Sequence, residues 1–277
     1  MKYILAVSGG IDSVVLLDMV ATRTKDEFVV AHFDHGIRSE SKKDAEFVGG
    51  LAKKHGAVFE LGQARLGAQA SEEMARKARY SFLKKLEKKY APAKVVTAHH
   101  QDDLVETVVM NLVRGTGWRG LAPMSAELER PLLGLSKVEL TEYAIANNLG
   151  WIEDETNYGD RYFRNRVRRF LLKMSPEQRR DLLILNAKQQ LLRGQIEEIS
   201  RAAAKTDALR SPAILALPVG AALELLRAWT GGKLTTPQLK LLLKKLKSAK
   251  SGDLIQPGGK MQIGVYGEQL TRSEISG

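Results

Sequence analysis

Three stretches of this 277-residue chain hold side chains whose types and spacing could do chemistry. In Ser8-Gly9-Gly10-Ile11-Asp12-Ser13, adjacent glycines lack the Cβ atoms that would keep an anion off the backbone, and two hydroxyls bracket them. The apolar run Ile4-Leu5-Ala6-Val7 precedes this stretch and a helical pattern over 14–20 follows it. A strand passing through a glycine turn into a helix start offers backbone N–H groups and the helix dipole to a phosphate. Asp12 alone would repel a polyphosphate, so its presence predicts a Mg²⁺ between them, held by the carboxylate and the phosphates. No GxxxxGKS/T occurs and the turn contains no lysine, which separates it from the Walker-type loop. The plain alternative is a turn whose glycines relieve strain and whose serine caps the helix.

The second stretch, His32-Phe33-Asp34-His35-Gly36-Ile37-Arg38, is the polar exit of an apolar strand pattern. The third, His99-His100-Gln101-Asp102-Asp103-Leu104-Val105-Glu106, follows another strand pattern at a helix start. Helical spacing places His99, Asp103 and Glu106 on one face. Two carboxylates and an imidazole suit an incoming amine, binding it as ammonium and accepting its proton. A lysine amine, with a free pKa of about 10.4, must lose that proton before it can attack. A metal site built from the histidines and aspartates is the rival chemistry, and capping of the helix by its early acids is the plain alternative.

The elements that must position these residues alternate. Strand patterns at 4–7, 28–33, 57–61 and 94–98 are separated by helix patterns at 14–20, 42–55 and from Ser71 onward, and a helix runs to about Arg114. Leu132-Leu133 reads as a weak fifth strand and 136–147 as a further helix. The alternation predicts an α/β domain whose parallel sheet is covered on both faces, with its ligand beyond the carboxyl ends of the strands, where all three stretches fall. Gly115-Thr116-Gly117-Trp118-Arg119-Gly120 matches GxGxxG but follows a helix, so it reads as a mobile loop and not as a dinucleotide fingerprint. Residues 1–174 are expected to form the catalytic domain, 175–205 a helical linker, and 206–277 a small basic α+β domain.

The 8–13 stretch resembles the SGGxDS signature of the ATP pyrophosphatases. As a set, 8–13, 32–38, Glu73 to Arg76 with Arg79 and Tyr80, 98–107, Arg114-Gly115, Gly120-Leu121, Arg130-Pro131-Leu132 and 154–168 resemble the tRNA(Ile)-lysidine synthetases. The resemblance implies a Rossmann-like fold of the adenine nucleotide alpha hydrolase type. It also implies two steps: adenylation of the wobble cytidine in a CAU anticodon with release of pyrophosphate, then displacement of AMP by free L-lysine. Ser8, Gly9, Gly10, Ile11, Asp12 and Ser13 would then cradle ATP, with Asp12 on Mg²⁺ and Asp34 and His35 bordering the nucleotide. Arg79 would steady the phosphorus centre, and His99, Asp103 and Glu106 would take the lysine. Arg114, Arg164, Arg166, Arg168, Lys240, Lys244 and Lys245 would grip the isoleucine tRNA. For each arginine a surface ion pair is the bland alternative, and for Asp34 and His35 a strand-end turn. Longer relatives carry a further C-terminal domain.

Charge and composition agree with a nucleic-acid partner. The net charge is +11, from 43 basic and 32 acidic residues. Eight of the basic residues lie within 161–180, and Lys233, Lys240, Lys244, Lys245, Lys247 and Lys250 have no acid among them. There are no cysteines, which excludes disulfides and cysteine-held metal centres, and argues against the tRNA thiolases that share the loop. NAD and GMP synthetases use the same loop on small molecules. An adenylating enzyme of that amidotransferase or synthetase type is the alternative, although it leaves the charge clusters unexplained. The start lacks a secretory pattern and no apolar run would span a bilayer, so a cytoplasmic protein without a membrane partner is expected; a homodimer stays open.

Overall fold

The computed structural model describes residues 2–36, 41–64, 67, 71–116, 118–124, 128–153 and 163–274. Ile37, Arg38, Arg161 and the part of the expected acidic loop at 154–157 lie outside the described residues. The chain divides into two compact units, Met1–Asn186 and Ala187–Gly277, with the division falling inside one long helix.

In the first unit, strands β1 (Lys2–Ala6), β2 (Glu27–Asp34), β3 (Val58–Gln63) and β4 (Ala93–Thr97) form a parallel sheet in the order β3-β2-β1-β4. Successive side chains on a strand point to opposite faces, so Leu5, Val30 and Val96 pack on one side and Ile4, Ala31 and Val95 on the other. Helices α1 (Ile11–Arg23), α2 (Ser41–Lys54) and α5 (Lys137–Ala146) cover the first face through Val15, Leu16, Val48, Ala52, Leu140 and Ala144. Helix α3 (Glu72–Lys89) covers the second with Leu83 and Leu86. Ser71 caps α3, its side chain accepting the Met74 N–H at 3.2 Å. Helix α4 (Gln101–Val113) packs through Val105 and Val109 on Val167 and Leu171 of α6 (Phe163–Leu172).

Strands β2 and β4 flank β1 on opposite sides, so the strand order reverses at β1 and a crevice opens beyond its carboxyl end. The glycine turn after β1, the exit of β2 and the exit of β4 meet at that edge.

One expectation needs correction. Leu132-Leu133 is not a strand but part of a turn, in which Leu133 N–H donates to Arg130 and Leu135 N–H to Leu132. Pro131 lacks the N–H that a ladder needs, and among the described residues β4 meets this segment in a parallel bridge between Val96 and Glu129. Leu132 owes its apolar character to burial against Leu140 and Ala144. The loop after α4 ends in a 3-10 helix, Trp118–Leu121, pinned where Asn111 Nδ2 donates to the Gly120 carbonyl at 2.8 Å.

Helix α7 (Pro176–Ala204) spans the division between the units. The second unit holds the antiparallel sheet β5-β8-β7-β6, from β5 (Ala208–Arg210), β6 (Leu254–Gly258), β7 (Met261–Tyr266) and β8 (Gln269–Glu274). Helices α8 (Ser211–Leu215), α9 (Val219–Trp229) and α10 (Thr236–Leu246) enclose its core around the fully buried Trp229. In α10, Thr235 and Gln238 form a capping box and Leu239, Leu242, Leu243 and Leu246 face inward, which leaves Lys240, Lys244 and Lys245 exposed. Among the described residues no helix is long and apolar enough to cross a membrane.

Candidate active site

The glycine turn is folded on the Ser13 hydroxyl. This oxygen accepts the N–H groups of Ser8 and Gly9, each at 3.1 Å, and donates to the Gly10 carbonyl at 2.8 Å. Gly9 has φ +97°, and a Cβ there would stand 3.0 Å from Ile152 Cδ1. Ile152 N–H in turn donates to the Gly9 carbonyl at 2.9 Å, so the turn is closed from above by the Trp151-Ile152 segment. Gly10 caps α1 without a side chain, so the first N–H groups of that helix stay available to an anion.

Asp12 opens α1 and faces charges of both signs. Its Oδ1 lies 2.5 Å from Lys137 Nζ at the start of α5, and its Oδ2 lies 3.7 Å from His100 Nε2. The same Nε2 is 3.4 Å from Asp103 Oδ2, and His100 Nδ1 is 3.6 Å from Asp102 Oδ2. Burial opposes charge on His100, but Asp102, Asp103 and Asp12 outweigh it and raise its pKa above the ordinary histidine value. Asp102 is held well below the usual carboxylate range by His100, by the Lys137 N–H at 2.8 Å and by Arg179, whose Nη1 donates to it at 2.8 Å. Among the described residues no three His, Cys, Asp or Glu side chains converge as a metal site. One exposed-edge carboxylate is instead the donor that Mg²⁺ takes beside phosphate oxygens, so Asp12 fits that ion.

His99 is adjacent in sequence and opposite in behaviour. Burial pushes its pKa down to about 4, with Arg130, Arg79 and Arg76 acting in the same direction against Asp103. Its Nδ1 lies 2.8 Å from the Thr97 hydroxyl, and the imidazole is neutral at neutral pH. Asp103 accepts the His100 N–H at 3.1 Å, capping its own helix, and lies 3.9 Å from Arg164. Glu106 is 3% exposed. Arg164 Nε donates to one of its oxygens and Arg168 Nε to the other, the latter at 2.6 Å. Asp103 and Glu106 thus share Arg164, while Asp103 reaches His99 through its charge; Glu106 is closed by two of the arginines expected on nucleic acid.

Arg79, half-buried on α3, is near enough to His35 and His99 for its charge to lower both. Asp34 Oδ1 accepts the Gly36 N–H at 2.7 Å, making the strand-end turn, and His35 packs edge-on to Phe33 at 4.9 Å. Burial, followed by Arg79, lowers the His35 pKa. His32 is buried, its Nδ1 2.9 Å from the Val7 carbonyl, so it ties β2 to the start of the glycine turn. Arg114 and Arg166 each lie 5.5 Å from the Phe163 ring. Lys240, Lys244 and Lys245 belong to the second unit. Sequence reasoning missed Lys137 and the bridging place of Arg179; no local pattern marks either, since their partners stand 125 and 77 residues away.

The PP-loop domain family matches residues 1–175. The tRNA(Ile)-lysidine synthase of Thermotoga maritima is 39% identical over 186 residues, which cover 63% of this chain and 45% of that protein. That of Novosphingobium aromaticivorans is 42% identical over 175 residues, covering 59% and 54%. The chain spans about half the length of these curated relatives. Among solved structures, the U34-tRNA thiolase NcsA of Methanococcus maripaludis matches with a TM-score of 0.57 and 17% identity, over 69% of this chain and 72% of that one, a likeness of fold alone. With a glycine turn at the strand-order reversal of a parallel sheet and a family match over most of its length, this chain belongs to the PP-loop domain family.

Proposed function

We propose that this chain acts as a tRNA(Ile)-lysidine synthase, joining free lysine to the wobble cytidine of a CAU anticodon at the expense of ATP. The observation that carries this reading is the place of His100. Its Nε2 stands 3.7 Å from Asp12 and 3.4 Å from Asp103, so one imidazole separates the loop suited to a triphosphate from the carboxylate suited to an amine. A site with both halves in contact suits activation followed by amine transfer. The names of the relatives agree with it.

In the first step the ring carbonyl oxygen of cytidine attacks the α-phosphorus, the α–β bridging bond breaks and pyrophosphate leaves. The turn at 8–13 and the start of α1 hold the phosphates, and Asp12 would hold a Mg²⁺ that offsets charge on the leaving group. Arg79 brings positive charge to the edge where the phosphorus becomes five-coordinate. In the second step the lysine amine forms the carbon–nitrogen bond and AMP leaves with the electron pair of the carbon–oxygen bond. Asp103 supplies negative charge for the incoming ammonium, and neutral His99 adds no opposing charge.

Arg114 and Arg166 of the first unit and Lys240, Lys244 and Lys245 of the second are the phosphate contacts of this reading. Arg164 and Arg168 join them only when they part from Glu106. The substrates imply a cytoplasmic setting. Incubation with ATP and the tRNA in the absence of lysine tests the reading. Pyrophosphate release that requires the RNA supports it; release at the same rate without RNA contradicts it.

A further inference from the structure

We propose that Lys137 is a ligand of the β- and γ-phosphates of ATP, supplying through the fold the cation that the glycine turn lacks. This rests on the reading of residues 8–13 as the ATP site. In a Walker-type loop a lysine within the loop reaches those phosphates. Residues 8–13 contain none, but α5 brings Lys137 Nζ to 2.5 Å from Asp12 Oδ1, across 125 residues of sequence.

The backbone of Lys137 is anchored at several points, while its side chain is held by an ion pair to Asp12. Ser136 and Glu139 form a capping box at the start of α5, the Lys137 N–H donates to Asp102 at 2.8 Å, and the Leu135 carbonyl accepts the Gln101 N–H at 2.9 Å. Asp102 is itself braced by Arg179. Beyond this anchor the side chain is 45% exposed, with Asp12 as its ion-pair partner. The ammonium is therefore set beside the turn on a fixed Cα, at the end of a chain long enough to swing. Once Asp12 is engaged by a magnesium-bound triphosphate, the ammonium loses that partner and the triphosphate becomes the anion beside it. A cation so placed gains strength as the β–γ unit departs with added charge.

Calorimetric binding of ATP, inorganic pyrophosphate and AMP, each with Mg²⁺, to the wild type, Lys137→Ala and Lys137→Arg tests this. Lys137→Ala is expected to bind ATP and pyrophosphate about 10- to 100-fold more weakly and AMP as before, and Lys137→Arg to recover most of the loss. A pair this exposed contributes little to folding, so a near-normal urea midpoint should accompany the change. If Lys137→Ala binds ATP as tightly as the wild type, or more tightly, Lys137 only neutralises Asp12 and the proposal falls. An equal weakening of AMP overturns it too, as a structural effect. A wild type that binds neither ATP nor pyrophosphate removes the ATP reading of the turn, and the proposal with it.

Discussion

Glu106 and Arg168 are joined by a 2.6 Å ion pair in which the carboxylate is almost wholly buried and the guanidinium is 40% exposed. Arg164 closes the other oxygen of Glu106, so α4 and α6 are locked by charge as well as by Val105, Val109, Val167 and Leu171. Removing the charge takes a shared counter-ion from two partly buried cations. Glu106→Gln is expected to cost about 3 kcal/mol, the low end for a buried pair because Arg168 reaches water, and Asp103→Asn less. Urea denaturation measures both. In steady-state assays both variants should raise the lysine requirement more than they slow adenylation; normal product formation at limiting lysine would count against the pair.

Asp12→Ala is expected to abolish pyrophosphate release while leaving salt-sensitive tRNA binding near the wild-type level, because the carboxylate faces Lys137 and His100 and not a basic surface. Filter binding across a salt series beside a pyrophosphate assay separates the two. Equal loss of both would place Asp12 in the folding of the site.

The neighbouring histidines give stability two pH limbs of opposite sign. His99 has a folded pKa of about 4 against an ordinary 6.5, so the unfolded chain takes up that proton first and stability falls as pH drops from 6.5 towards 4. His100 is raised, so its contribution is present below 6.5 and is lost as pH rises through the higher folded value. Urea midpoints across pH should show a shallower acid limb in His99→Gln and a shallower decline above 6.5 in His100→Gln.

Gly9→Ala tests the turn itself. A side chain at φ +97° is strained, and its Cβ would press on Ile152 Cδ1 at 3.0 Å. A loss of about 1 to 3 kcal/mol in urea, with weaker ATP binding, is expected.

The strands, the glycine turn and the three polar exits are legible in the sequence because each depends on local pattern: an apolar run, a pair of glycines, a helix cap. Leu132-Leu133 shows the limit of such patterns. A buried turn and a strand share the same apolar signal, and only Pro131 hints at the difference. The charge pairing is illegible for another reason. Spacing on α4 groups Glu106 with His99 and Asp103, but its partners stand 58 and 62 residues away on α6, where clustered arginines read as a surface for RNA. Lys137 is hidden likewise, one lysine among many until α5 packs beside α1 and sets it over Asp12.

The most direct test supplies ATP, Mg²⁺, radiolabelled lysine and isoleucine tRNA bearing CAU. Label should enter the RNA with AMP and pyrophosphate released in equal amounts, and replacing the wobble cytidine should stop all three. Pyrophosphate release without lysine incorporation into RNA, or incorporation that ignores the wobble base, would contradict the account.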